Sequence, residues 1–270
     1  MSLRRFTALQ FRRPMDRGLN QPFLVIGKSC SNKTRENIVV KSRAGYADRP
    51  DAMLRELFGL LLARELGLKV PEPILVELQA GFDWCVIDYP DHAELIRQSV
   101  GWNLGTIHLG NAWKPWSVGS KPRSLSAETL ETAYAFDAMV QNSDREADNP
   151  NMLWRGDELT LLDFDKAFAY LRKEEQEDRP WRKTLINQNL GRHSLYPHLP
   201  ALTEGKIIGR DLWDFFEEWW MKDPSGQLSQ VISAGMPDPD LDLPRLECYL
   251  RKLSAAADDF FPYLTEASRS

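Results

Sequence analysis

Apolar and polar positions alternate at the front of the chain, and the period then lengthens. TALQF alternates, QPFLVIG is a β-rich run, and ENIVVKS is a short apolar strand with Lys41 at its end. In AMLRELFGLLLAREL the pattern becomes helical: Pro50 stands near the start, Gly67 can close the end, and Pro71 stops any continuation. Glu56 precedes Leu60 and Ala63 by four and seven positions, so the three share one inward helix face. EPILVEL and DWCVIDY read as further strands, separated by the turn-prone QAGF. HAELIRQSV reads as helix, and GWNLGTIHLGNAWKPWSVGSKPR, rich in Gly, Pro and Trp, as a hinge or linker. Ser126 can N-cap a helix over AETLETAYAFDAMVQ, with Glu128 in its first turn. NMLW and ELTLLDF then flank the turn signal RGD as a hairpin, and DLWDFFEEWW and LPRLECYLRKLSAAADDFF read as helices with large apolar faces. No longer period recurs, which excludes a solenoid or propeller. The order predicts an α+β fold: a small strand-rich region with one helix over residues 1–112, then a larger, mainly helical region over 113–270.

Composition narrows the partners. With 43% hydrophobic and 27% charged residues, the 270-residue chain can bury a sizeable core and is not a disordered polymer. A net charge of −5 argues against a protein that grips a nucleic-acid backbone. The aromatic set Trp213, Phe216, Trp219 and Trp220 has helical spacing and acidic neighbours, which suits core packing rather than base stacking. MSLRRFTALQFRR lacks the apolar run of a secretory signal, and no window is apolar enough to span a membrane. Cys30, Cys85 and Cys248 are odd in number and far apart, as suits reduced thiols. The four histidines lack metal-ligand spacing, so zinc is not expected. The expectation is a cytoplasmic protein without nucleic-acid or membrane partners.

Chemistry concentrates in QNSDREADNPNMLWRGDELTLLDFDKAF, which holds Asp144, Asn149 and Asp163. The predicted helix ends before Asp144, so Asp144 to Asn149 form a loop, and the hairpin delivers Asp163 at the end of its second strand. Three oxygen-bearing side chains on a loop and an adjacent strand end suit phosphoryl transfer. Magnesium takes one or two protein carboxylates, with water and phosphates completing its shell. A neighbouring aspartate that is not a ligand can orient a hydroxyl and accept its proton. An Asp, an Asn five positions on, and an Asp after a hairpin reproduce the spacing of a kinase catalytic loop and metal-binding strand. Such a site also needs a strand lysine for the phosphates and a helix glutamate to hold it; Lys41 and Glu56 occur in that order. Each residue has a plainer reading. Asp144 suits a solvated loop, Asn149 an Asn-Pro turn, Lys41 a strand-end charge, and Glu56 an acid near a helix N-terminus. Asp163 is favoured over Asp165 by its distance from Asn149, leaving Asp165 a supporting or solvated role. Asp137 reads as structural, and Arg145 as either a phosphate contact or a surface arginine.

ENIVVKS, LRELFGLLLARELGLKVPEP, GWNLGTIHL, FDAMVQNSDREADNPNML and LTLLDFDKAF, in this order across roughly residues 20–170, resemble the HipA-like kinases. These are a branch of the protein-kinase-like superfamily with a reduced small lobe. The resemblance implies a two-lobe protein-kinase-like fold, ATP and Mg2+ as cofactors, and transfer of the γ-phosphoryl group to a hydroxyl. The most direct expectation is a serine/threonine protein kinase with a protein substrate. By position, Lys41 binds phosphates, Glu56 anchors Lys41, Asp144 is the base, and Asn149 and Asp163 hold metal. The nucleotide base would lie near Gly105 to Leu109. RKEEQEDR (172–179) takes the place of an activation segment, and Ser194 beyond it is a candidate for modification. The chain departs from conventional protein kinases at Asn142-Ser143, where those have His-Arg, and at Asp165, where they have Gly. CSNKTREN, between the second and third strands, contains no Gly-x-Gly. The alternatives are a pseudokinase or nucleotide-binding module, a small-molecule or phosphoinositide kinase with the same core, and a metal-dependent phosphoesterase.

Overall fold

A computed structural model describes residues 3–15, 18, 20–117, 119–120, 124–168, 191–199, 248–249, 251–253 and 255–267. DLWDFFEEWW with its aromatic set and RKEEQEDR lie outside the described residues, and LPRLECYLRKLSAAADDFF is described only in its second half. The described residues fall into two compact units, one from those within 1–60 and 71–110, the other from 61–70 and the described residues from 111 onward.

In the first unit, β1 (Arg5–Pro14), β2 (Phe23–Ser29), β3 (Arg35–Lys41), β4 (Pro73–Leu78) and β5 (Gly101–Ile107) form a closed barrel in the order β1-β2-β3-β5-β4. Antiparallel pairs join β1 to β2, β2 to β3, β3 to β5 and β5 to β4, and a parallel pair with Phe6 opposite Val76 closes the ring. Closure leaves no long unpaired edge for another strand to join. The two-residue alternation read from the sequence carries Phe6, Ala8, Val25, Ile38, Val40, Ile74 and Val76 into one core. Gly105 is required where β5 passes its neighbours. A Cβ there would lie 2.7 Å from Val76 Cγ2 and 3.0 Å from Ile38 Cγ2.

The structure corrects two readings here. GWNLGTI is not a hinge but β5, hydrogen-bonded along both edges, and its Gly105 serves close packing rather than chain reversal. DWCVIDY is not a strand. Gly81 turns the chain at φ 86° into a 3-10 turn, Phe82–Val86, which buries Phe82 and Val86 and leaves Trp84 and Ile87 exposed. Helix α1 (Pro50–Glu65) starts and ends as predicted, and every residue from Ala52 to Ala63 is buried. Helix α2 (Pro90–Gln98) forms where HAELIRQSV reads as helix, so the β-rich part carries two helices and not the one of the predicted architecture.

The second unit contains a three-stranded sheet in the order β6-β7-β8, from β6 (Lys114–Pro115), β7 (Met152–Arg155) and β8 (Glu158–Leu161). Helix α3 (Ala127–Met139) opens at Ser126, whose side chain accepts from Thr129 N at 3.1 Å, satisfying one free N–H of the first turn. Tyr134, Ala135 and Phe136 on α3 are fully buried, and Tyr249 Oη donates to Met139 O at its end. Helix α4 (Ala257–Ala267) buries Phe260 and Leu264. Among the described residues no helix is long and apolar enough to cross a membrane.

Candidate functional site

Lys41 closes β3, with Leu104 of β5 as its register partner. The chain then turns on Ser42 and Asn103. Asn103 Oδ1 accepts from Arg43 N at 2.9 Å, while its amide donates to Ser99 O and Gly101 O. This buried asparagine fixes the strand end from which Lys41 projects. Lys41 Nζ donates to Glu56 Oε1 at 2.7 Å, and the glutamate side chain is only 2% exposed. The inward face predicted for Glu56 is therefore observed, with Leu60 and Ala63 buried beside it. A charge buried this far is retained at a cost unless it is paired, and Lys41 supplies the pair.

In the second unit, the exit from α3 builds the loop. Gln141 adopts φ 54°, Asn142 N donates to Asp137 O at 2.9 Å, and Phe168 N donates to Val140 O at 2.7 Å. Asp144 is half-buried at the turn that follows. Its Oδ2 accepts from Asn149 Nδ2 at 3.0 Å and from Asn151 Nδ2 at 3.3 Å. The hairpin forms as read, with Met152 opposite Leu161 and Arg155 opposite Glu158, and Gly156 takes φ 60° in the turn. Strand β8 ends at Leu161, so Asp163 lies two residues past the strand, where it adopts φ 58°. Aspartate tolerates this left-handed conformation better than most residues.

Electrostatics link these carboxylates. Burial, then the charges of Asp163 and Asp165, push the Asp144 carboxyl up to about 6, against smaller opposing effects of Lys166 and Arg145. Asp144 thus bonds Asn149 and feels the charge of Asp163 in one unit, and Lys41 and Glu56 pair in the other. Concentrated negative charge beside a carboxamide suits a hard divalent cation that completes its shell with phosphate oxygens. Among the described residues no group of three or more His, Cys, Asp or Glu could hold a metal by itself. A divalent cation at Asn149 and Asp163 would need water or other oxygens to complete its shell.

Two side chains differ from their sequence reading, and a third resolves between two. Arg145 neither faces solvent nor is placed for a phosphate: its side chain is fully buried. Nε and Nη2 donate to the two oxygens of Asp137 at 2.5 and 3.2 Å, and Nη1 donates to Asn151 O and Leu162 O at 2.5 and 3.0 Å. Asp165 is buried, 4% exposed, which removes the solvated alternative and leaves the supporting one. Ser194 is also buried, and its Oγ donates to Arg145 O and Glu146 O, which removes it from reach of a modifying enzyme. Asp137 has the structural role expected of it, accepting also from Asn142 Nδ2 at 2.9 Å and from His193 Nε2 at 3.0 Å. Burial opposes its charge, but Arg145 and His193 outweigh that and hold the Asp137 carboxyl below its ordinary value. His193 and Asn151 had no signal in the sequence, since His193 is 56 positions from Asp137 and Asn151 reads as the last residue of a turn.

A model of the HipA-like kinase family matches residues 9–180, well over half of the chain. The crystal structure of a Helicobacter pylori proinflammatory kinase, CtkA, aligns over 100% of both chains at 11% identity and a TM-score of 0.47. No curated protein matches the chain.

Proposed function

Because the chain belongs to the HipA-like kinase family, we propose that it is an ATP- and Mg2+-dependent phosphotransferase acting on a hydroxyl, most directly a serine/threonine protein kinase. The observation that carries this reading is the Asp144 carboxylate, joined to Asn149 by a 3.0 Å hydrogen bond and raised to about 6 in part by Asp163. A carboxylate with that affinity for a proton is a better general base than an ordinary aspartate, and it is still ionised at neutral pH.

In this reading Asp144 aligns the acceptor hydroxyl and takes its proton as the oxygen attacks. Asn149 and Asp163 would hold Mg2+. When bound, the cation offsets phosphate charge and orients the transferred group. Lys41, fixed by its 2.7 Å bond to Glu56, presents a positive point charge for the phosphates of ATP. Most of the catalytic effect then comes from positioning and fixed charge. The test is incubation of the full chain with γ-labelled ATP and Mg2+, alone and with a generic protein acceptor. Label on this chain or on the acceptor, lost in Asp144→Asn, is the expected result. Label in a lipid or metabolite fraction instead would move the assignment to a small-molecule or phosphoinositide kinase. Absence of both labelling and ATP affinity would overturn it.

A pseudokinase reading is favoured by one observation. The β2–β3 connection, Cys30 to Thr34, contains no glycine to bring backbone N–H groups against phosphates. ATP binding without turnover would select it.

A further inference from the structure

Arg145 follows the proposed base directly, yet its side chain turns away into the interior. The guanidinium touches three separate segments: Asp137 on α3, the carbonyl of Asn151 before β7, and the carbonyl of Leu162 after β8. Asn151 lies two residues beyond Asn149, and Leu162 immediately precedes Asp163. Asn151 and Asp163 hold left-handed backbone at φ 45° and 58°, a conformation that Asn and Asp adopt more readily than other side chains and that neighbouring contacts can fix. Arg145 supplies such contacts at both places.

The anion that balances Arg145 is itself held. His193 Nδ1 accepts from Leu195 N at 3.1 Å, so Nε2 carries the proton and donates to Asp137 Oδ2. Burial lowers the His193 ring below its ordinary value, which keeps it neutral and leaves one cation and one anion in the network. Ser194 N and Oγ both donate to Arg145 O, at 2.8 and 2.9 Å, so the backbone of Arg145 is fixed as well as its side chain. Burying an ion pair is a poor way to gain stability, because an apolar pair of the same volume packs as well without desolvating charge. What an arginine provides that an apolar residue cannot is a planar fork whose several donors fix several acceptors at once.

We propose that Arg145, braced by Asp137 and His193, is a positioning residue that sets the spacing of Asp144, Asn149 and Asp163. This rests on the kinase reading for the roles of those three, and on hydrogen-bond geometry for the clamp. Arg145→Lys keeps the charge but cannot span one carboxylate and two carbonyls. The full-length variant is compared with wild type by thermal unfolding, by Mn2+ binding in the presence of a non-hydrolysable ATP analogue followed by electron paramagnetic resonance, and by steady-state phosphoryl transfer.

At a temperature where both proteins are folded, Mn2+ binding is expected to weaken by roughly 10–100-fold, as when a partner that orients metal ligands is lost. At saturating Mg2+ turnover should also fall by roughly 10–100-fold while KM for ATP changes less than about threefold, since displacement of Asp144 is felt only in the transition state and appears in kcat. A folded Arg145→Lys protein with Mn2+ affinity and turnover within about twofold of wild type would overturn the proposal. If Arg145→Lys does not fold, Asp137→Asn, which keeps the shape and an oxygen acceptor but removes the anion, carries the same comparison. A wild-type protein that binds Mn2+ but transfers no phosphoryl group would sink the kinase reading, while the Mn2+ ratio would still decide the clamp.

Discussion

Asp144 has two properties that pull against each other. Its affinity for protons suits a base, but the same affinity shows that its ionised form is unfavourable in the folded protein. Burial comes first among the causes, then Asp163 and Asp165. With a carboxyl raised to about 6, phosphoryl transfer should rise with pH through about 6 and level off above it, because only the carboxylate can accept a proton. Asp144→Asn should remove about 10²–10⁴ of the rate, or roughly 3–5 kcal/mol of barrier, while ATP binding persists. A flat pH profile between 5 and 8, or full transfer by the variant, would contradict the assignment. The stability effect has the opposite sign. A carboxyl that binds its proton more tightly folded than unfolded contributes stability at low pH, and this is lost as pH rises toward about 6. Asp144→Asn should therefore be more stable than wild type at pH 8, by about 1 kcal/mol once solvent screening of a half-exposed group is allowed for. At pH 3.5 the difference should vanish. Urea denaturation at the two pH values reads this directly, and a variant less stable at pH 8 would contradict it.

At the level of elements, the chain announced most of its strands and both long buried helices, and failed where a residue type has two uses. Ser126, Pro50 and Gly67 marked helix boundaries because capping is local, needing only a few consecutive residues. Gly101 and Gly105 read as hinge residues because glycine signals chain reversal as readily as close approach, and only the neighbouring strands distinguish the two. DWCVIDY has the apolar content of a strand, but Gly81 redirects it and buried Asp83 pairs with Arg97 on α2, an interaction 14 residues away. The candidate site follows the same rule. Lys41, Glu56, Asp144, Asn149 and Asp163 could be named from spacing, whereas Arg145, His193 and Ser194 owe their roles to segments distant in sequence. Gly105 gives the measurable case. Gly105→Ala places a methyl 2.7 Å from Val76 Cγ2 and 3.2 Å from Val39 O, in a closed barrel with little freedom to relax. It should destabilise the fold by about 1–3 kcal/mol, the usual range for overpacking. An unchanged urea midpoint would mean that β5 does not run that close to its neighbours.

For the molecule as a whole, ligand binding provides a test that does not depend on turnover. Anything that binds the native state alone adds about 2.7 kcal/mol to its stability at a hundredfold excess over Kd. At roughly 2–4 °C per kcal/mol for a chain of about this length, saturating ATP with Mg2+ should raise the unfolding midpoint by about 5–10 °C. The share of each residue can be separated by composition of the buffer. Lys41→Met should lose the shift with ATP whether Mg2+ or a chelator is present, because in the proposed reading the lysine contacts phosphate without the metal, held by a buried Glu56. Asp163→Asn should keep the smaller shift seen with ATP and chelator and lose the increment that Mg2+ adds. Reversal of that order, with Lys41→Met removing only the metal increment, would mean that the two residues have exchanged roles. No shift in wild type under any condition would leave the pair Lys41–Glu56 and the loop from Asp144 to Asp163 as structure without a nucleotide, and would end the kinase assignment at its first step. A full shift without phosphoryl transfer would instead keep the nucleotide and discard the chemistry. That result would direct attention to the glycine-free connection between β2 and β3, where a conventional kinase would cover the phosphates with backbone.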